Sequence, residues 1–260
     1  MGQTSCNTQR DPTLPIHPQR YAGGASGRVG SGSASAGVDQ SAIVALFDKY
    51  KEPGHEMILA EGIGRFCEDL GVDPSDVAML VLSWHFGADI MCQYSKDEFV
   101  QGMVKLGCDS LGKLAGRLGE LRAELGREDR FKEVYLYAFS FAREQGQKIL
   151  QLDTALGMWQ LLFAGRSWPH LDHWLTFLQE KHGKAISRDT WTQFYNFTMA
   201  SACQHRRCMP RCRPCDRSIL SPIVPRQRIR PDFSDYDAEN GAWPVIIDDF
   251  VAWMQETGKI

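Results

Sequence analysis

From Ser41 onward, apolar residues recur at three- and four-residue intervals, and this period restricts the chain to packed helices. Ile43, Leu46, Phe47 and Tyr50 share one helical face, and Ile58, Ile63, Phe66, Cys67 and Leu70 form a second run. Asp73-Pro74-Ser75 reads as a helix start with proline in the first turn, leading into Val77, Leu80, Val81, Trp84 and Phe86. Ser95-x-x-Glu98 is a capping box, in which each side chain satisfies a backbone N–H that the first turn leaves free. It opens a helix carrying Phe99, Met103 and Leu106. Leu111, Leu114, Leu118, Leu121 and Leu125 continue the period, and the aromatic-rich stretch 130–144 calls for a helix buried on more than one side. Asp153 is the expected cap of the next helix and Gly165 its end. Leu171, Trp174, Leu175 and Leu178 precede a terminating Gly183, Trp191, Phe194 and Phe197 mark another helix, and Pro244 opens the last. Strand-like alternation is nearly absent, so the expected fold class is all-α.

Two stretches break the period. Residues 1–40 are rich in Gly and Ser and carry few large apolar side chains, so they cannot offset their ordering entropy and read as a disordered tail. Residues 202–228 are rich in Cys, Arg and Pro, and prolines at 210, 214, 222 and 225 oppose a regular helix. They read as an insertion within one domain spanning 41–260. A hydrophobic content of 43% and a net charge of −3 exclude a chain disordered throughout and a globally basic nucleic-acid binder. No run approaches the apolar length of a membrane span, and the N-terminus has no apolar run of the kind a secretory signal requires. Eight cysteines without such a signal are expected to be reduced thiols, in the nucleus and cytoplasm.

Several strings carry a resemblance: FCEDLGVDPSD, YSKDEFVQGMVKLGCDS, EDRFKEVY, FAREQGQK, SRDTWTQFYNF, PDFSDYD and GAWPVIIDDFV. In order and spacing they are similar to the potentiating-neddylation domain of the defective-in-cullin-neddylation family, from about Tyr50 to Val251. The resemblance implies an all-helical domain whose first half is arranged like an EF-hand pair. It implies no enzyme and no cofactor, but a scaffold that holds a cullin and the charged conjugating enzyme together while a ubiquitin-like modifier passes to a cullin lysine. The partners implied are the cullin C-terminal winged-helix domain, the acetylated N-terminus of the conjugating enzyme, and a RING-box protein through the complex. A small ubiquitin-binding domain begins some members of the family. The Gly/Ser-rich stretch stands in its place here, so ubiquitin binding of that kind is not expected.

Two surfaces follow from the resemblance. The cullin-binding patch maps to Asp189 of DTW, Ala242 of GAW and Asp248 of IDDF. Two carboxylates beside a small residue can accept charge-assisted hydrogen bonds from a basic partner that approaches closely. Taken alone, each Asp is more simply a helix-start residue or a solvated charge; the intact motifs reverse that preference. The pocket for the acetylated N-terminal methionine maps to Ile63, Leu80, Phe86, Cys92, Tyr94, Phe141 and Leu161, with Met91 where some relatives carry a glutamine. Acetylation matters because a free ammonium among such side chains costs several kcal/mol to bury. The plain alternative is that these are core residues.

Other signals compete less well. Pro53, His55 and Met57 stand where a calcium loop needs oxygen ligands, so no calcium site is expected. Cys203, Cys208, Cys212 and Cys215 offer four thiolates for zinc, but only the last pair has CxxC spacing, and a basic loop is the preferred reading. Its arginines leave open weak contact with nucleic acid or acidic lipid. Gly2 and Cys6 suggest lipidation and a membrane anchor, though Cys6 stands where Ser or Thr belongs, and an unmodified tail is preferred. Two further functions stay open here: an adaptor, membrane-anchored or free, that sequesters cullin or conjugating enzyme without stimulating transfer, and a zinc-dependent nucleic-acid binder resting on 202–228 alone. Cys67, Cys92 and Cys108 are expected as buried thiols.

Overall fold

The computed structural model describes residues 37–166, 168–201, 229–239 and 243–260. Gly2, Cys6, Cys203, Cys208, Cys212, Cys215 and Ala242 therefore lie outside the described residues, as does most of the 1–40 stretch. Helix α1 (Gln40–Tyr50) starts at Asp39, whose carboxylate accepts from the N–H groups of Ser41 and Ala42. A short strand β1 (Met57–Ile58) leads to α2 (Ala60–Leu70). After α3 (Val77–Phe86) comes β2 (Tyr94–Ser95) and then α4 (Lys96–Leu106). Strands β1 and β2 pair antiparallel, Ile58 opposite Tyr94, so two helix–strand–helix units are joined back to back. This is the EF-hand-like arrangement expected of the first half.

The second half repeats it. Helix α5 (Leu111–Glu124) connects to α6 (Glu128–Ala142), β3 (Ile149–Leu150), α7 (Leu152–Phe163), α8 (Leu171–Phe177), β4 (Ile186–Ser187) and α9 (Arg188–Ser201). Strands β3 and β4 pair antiparallel with Leu150 opposite Ile186, both buried as Ile58 and Tyr94 are. The entry into the last helix of each half is also alike: Ser95 Oγ accepts from the Glu98 N–H at 3.3 Å, and Ser187 Oγ from the Thr190 N–H at 3.0 Å. In the first half, Glu98 is engaged by donors of its own loop, accepting from the N–H groups of Asp89 at 3.0 Å and Ser95 at 2.6 Å. A final helix, α10 (Val245–Glu256), packs against α8.

Aromatic side chains join the second half to α10. Trp191 stacks between Tyr135 at 4.7 Å and Trp159 at 4.8 Å, all three fully buried. Their polar atoms are paired internally: Tyr135 Oη donates to Trp191 O, Trp159 Nε1 donates to Tyr135 Oη, and Trp191 Nε1 donates to Tyr135 O, each at 2.9 Å. Satisfying these groups makes their burial tolerable, since an unpaired one would cost about 1–3 kcal/mol. Trp174 and Phe177 then meet Phe250 of α10 at 5.2 and 5.6 Å.

Several boundaries differ from expectation for local reasons. Asp73 does not start α3; it accepts from Ser75 in a turn, and Asp76 caps the helix by accepting from the Ala78 N–H at 2.8 Å and from Arg122 of α5. Gln151, not Asp153, precedes α7, because the β3–β4 pairing sets where that helix begins. Ala164 rather than Gly165 ends it. Helix α8 passes into a π-helical turn at Leu178–His182 before Gly183 closes it with φ 58°. Cys67 and Cys108 are buried, and burial pushes the Cys67 thiol up to about 11, away from reactivity. Cys92 corrects the expectation: it is exposed, on a loop residue with φ 63°, a left-handed conformation that turns the chain between α3 and β2.

Gly102 shows how closely α4 approaches α3. A Cβ built there would lie 2.0 Å from Phe86 Cδ1 and 2.8 Å from the Phe86 Cα, so rotating the ring away would not relieve the clash. Gly102→Ala is expected to destabilise the fold by about 1–3 kcal/mol through overpacking. A urea midpoint equal to that of the wild type would refute this close approach.

Candidate functional site

The motifs that carry the acidic surface divide their residues between core and solvent. In DTW, Trp191 is the centre of the aromatic stack, and Asp189 stands exposed in the first turn of α9. In IDDF, Phe250 is fully buried and Asp248 is half-buried in the first turn of α10. In GAW, Trp243 is buried and meets Phe197 at 5.5 Å. In DTW and IDDF the apolar member thus anchors a helix whose acidic member keeps exposed surface. Both carboxylates sit near helix N-termini, where the backbone dipole favours negative charge. Phe197 lies about two turns beyond Asp189, so roughly 12 Å of helix axis separates the start of α9 from the level at which Trp243 packs. Ala242 adjoins Trp243 in sequence but lies outside the described residues.

Charge at Asp189 is not neutralised from within. Its carboxylate has no hydrogen-bond or ion-pair partner among the described residues, while neighbouring Arg188 turns away to donate to Ser140 Oγ at 2.6 Å and lies over the Phe139 ring. Asp248 differs, because Tyr236 Oη donates to its Oδ1. Tyr236 belongs to the segment 229–239, which lies against His170 before α8 and against α9 and α10. Ile229 is buried and its N–H donates to Ala200 O at 3.3 Å; buried Phe233 packs on His170, Phe197 and Phe250. His170 Nε2 donates to Pro231 O at 2.6 Å, and burial holds the pKa of this ring below the usual histidine value, so the neutral form is favoured. Sequence reasoning did not find Tyr236; the only available signal was its place in the PDFSDYD string.

The seven apolar residues fall on five elements and one loop. Leu80, Phe86, Tyr94 and Phe141 are almost fully covered, with 3–6% of their surface exposed. Phe86 meets Tyr94 edge-on at 5.3 Å, and the Tyr94 hydroxyl hydrogen-bonds Ser83 Oγ at 2.7 Å. The loop bearing Cys92 is tied to α6: the Met91 N–H donates to Phe141 O at 3.1 Å, and Tyr137 Oη donates to Ala88 O at 2.8 Å while its ring stacks on Phe141. Ile63 and Leu161 are half-buried against the same core. The structure brings Phe86 to Tyr94 and ties the Cys92 loop to Phe141; Ile63, Leu161, Cys92 and neighbouring Met91 are the residues here that keep exposed surface. A cavity of about 340 Å³ lies elsewhere, lined by Glu128, Phe163, Arg166, Trp168, Thr198 and Met199 among others. Among the described residues no group of three or more His, Cys, Asp and Glu could hold a metal, and no helix is long and apolar enough to cross a membrane.

A family model described as "Cullin binding" matches residues 113–207, which includes α6, α7 and the DTW helix. The chain is 37% identical over 218 residues to DCN1-like protein 3 of Homo sapiens, covering 82% of this chain and 62% of that protein. It therefore spans less than two thirds of the length of that relative. It is 35% identical over 253 residues to DCN1-like protein 3 of Xenopus tropicalis, covering 96% of this chain and 74% of the relative. With DCN1-like protein 5 of Rattus norvegicus it shares 34% identity over 212 residues, 82% and 76% of the two chains. With most of its length matched at this identity, from the first helix to the α10 motif, the chain belongs to the DCN1-like family.

Proposed function

We propose that the chain is a non-catalytic scaffold for cullin neddylation. It holds the C-terminal winged-helix domain of a cullin through Asp189, Ala242 and Asp248. It receives the acetylated N-terminus of the conjugating enzyme over Ile63, Leu80, Phe86, Cys92, Tyr94, Phe141 and Leu161. A RING-box protein joins through the cullin, and the nucleus and cytoplasm are the compartments that fit reduced thiols. Nucleic acid is not a partner in this reading, and neither cofactor nor metal is required. The rate gain comes from proximity: a target lysine and a charged conjugating enzyme held on one support react as if at a much higher concentration. The observation that best supports the reading is the division of both acidic motifs, with Trp191 and Phe250 in the core and Asp189 and Asp248 outside it. Titrating the chain with a cullin winged-helix domain tests the reading. Saturable binding that weakens with added salt is expected, and no binding would reject it.

In the same reading, residues 202–228 are a passive excursion. The Ile229 N–H bonds Ala200 O, so the chain resumes beside the point where α9 ends and a direct peptide link is within reach. Loop closure costs only about 0.6 kcal/mol per doubling of length, so removing the stretch changes stability little. Deleting 202–228 is expected to preserve the far-ultraviolet spectrum and cullin affinity. Stoichiometric zinc in the purified full chain, lost together with cullin binding on deletion, would show instead that the four cysteines do specific work.

A further inference from the structure

We propose that Tyr236 is the positioning residue of the acidic surface, fixing the Asp248 carboxylate in the one orientation a basic group of the cullin meets. This rests on the reading of Asp248 as a cullin contact. The Tyr236 hydroxyl donates to Asp248 Oδ1, which leaves Oδ2 without a protein partner among the described residues. The local helix does not provide an alternative hold: Pro244 stands at the N-cap of α10 and no side-chain cap bond is made there. Tyr236 thus makes the side-chain hydrogen bond that restrains the half-buried carboxylate among the described residues.

Tyr236 is well placed to hold it. Its own N–H donates to Phe233 O at 3.0 Å, and its ring meets Phe197 edge-on at 6.2 Å. Phe233 is buried beside His170 and Phe250, and the Arg230 N–H donates to Asp235 Oδ1 at 2.7 Å, so the turn carrying Tyr236 is braced at both ends. Burial, reinforced by the neighbouring carboxylate, pushes the phenol pKa upward, so it remains a donor at neutral pH. The hydrogen bond thus runs from a braced segment to the first turn of α10 and joins two parts of the chain that a partner would touch together.

Ordering one side chain at an interface costs about 0.5–1.5 kcal/mol, so prior ordering by Tyr236 is worth roughly twofold to tenfold in affinity. The test titrates a cullin winged-helix domain into the full chain as wild type, Tyr236→Phe, Asp248→Ala and the double variant. Phe keeps the ring against Phe197 and removes only the hydroxyl. Tyr236→Phe is expected to weaken binding roughly twofold to tenfold, and to add nothing once Asp248 is Ala. Helical content and affinity for the acetylated conjugating-enzyme peptide should stay at wild-type values. Wild-type cullin affinity in Tyr236→Phe, alongside a weakened Asp248→Ala, overturns the positioning role alone. Equal losses from Tyr236→Phe in both backgrounds also overturn it, since the tyrosine would then act through packing. Wild-type affinity in Asp248→Ala overturns the cullin reading of the patch, and the positioning role with it.

Discussion

Replacing Asp189 and Asp248 together by alanine is expected to weaken cullin binding by more than about tenfold. Each hydrogen bond to a charged group contributes about 1.5–3 kcal/mol, and 1.4 kcal/mol is a factor of ten, so even one effective contact meets this bound. Asp189 is exposed and has no side-chain partner among the described residues, so its removal costs the fold only the favourable charge at the helix start, about 0.3–1 kcal/mol. Asp248 accepts from Tyr236, and its removal strands a half-buried hydroxyl at a cost of about 1 kcal/mol. The double variant should therefore melt slightly earlier while keeping its helical content. A calorimetric titration reads the affinity directly, and an unchanged value in a folded variant would mean that the cullin binds elsewhere.

An acetylated N-terminal peptide of the conjugating enzyme is expected to bind at least about tenfold more tightly than its unacetylated form. Burying an unpaired ammonium costs several kcal/mol, whereas an amide needs only its hydrogen bonds satisfied. The proposed lining is apolar: Ile63, Leu80, Phe86, Cys92, Tyr94, Phe141 and Leu161, of which Ile63, Cys92 and Leu161 keep exposed surface. Leu80→Ala should also weaken binding, but Leu80 is 3% exposed and its truncation opens a core cavity worth about 2–5 kcal/mol. Leu161→Ala is the cleaner probe, since Leu161 is already half-exposed at the edge of the cluster. Fluorescence titrations giving equal affinities for the two peptides would remove the pocket from the account.

What the sequence made legible was local. Ser95 and Glu98 bond as a capping box because all the atoms involved lie within one turn. Gly183 ends its helix because its φ of 58° suits glycine. The four strands among the described residues leave no mark in the sequence because each is two residues long, too short for any alternation. They matter nonetheless, since the β3–β4 bridge places the N-cap of α7 at Gln151 rather than at Asp153. Cys92 looked like a core thiol by residue type; a positive φ in a tight loop turned it outward. The candidate site was legible only through its motif strings, which mark Asp189 and Asp248 but not the bond that restrains one of them. Tyr236 and Asp248 are brought together by packing of Phe233, Phe197 and Phe250, which no local pattern encodes.

A scaffold of this kind promotes transfer as well as binding a cullin and a conjugating enzyme. The most direct measurement is the rate of cullin modification in a reconstituted reaction containing activating enzyme, charged conjugating enzyme, RING-box protein and cullin, with and without the full chain. The scaffold account predicts a faster rate that depends on the chain's concentration, is lost in the Asp189→Ala/Asp248→Ala variant, and requires an acetylated conjugating enzyme. A slower rate with intact cullin binding would show a sequestering adaptor, and an unchanged rate with no cullin binding would contradict the account altogether.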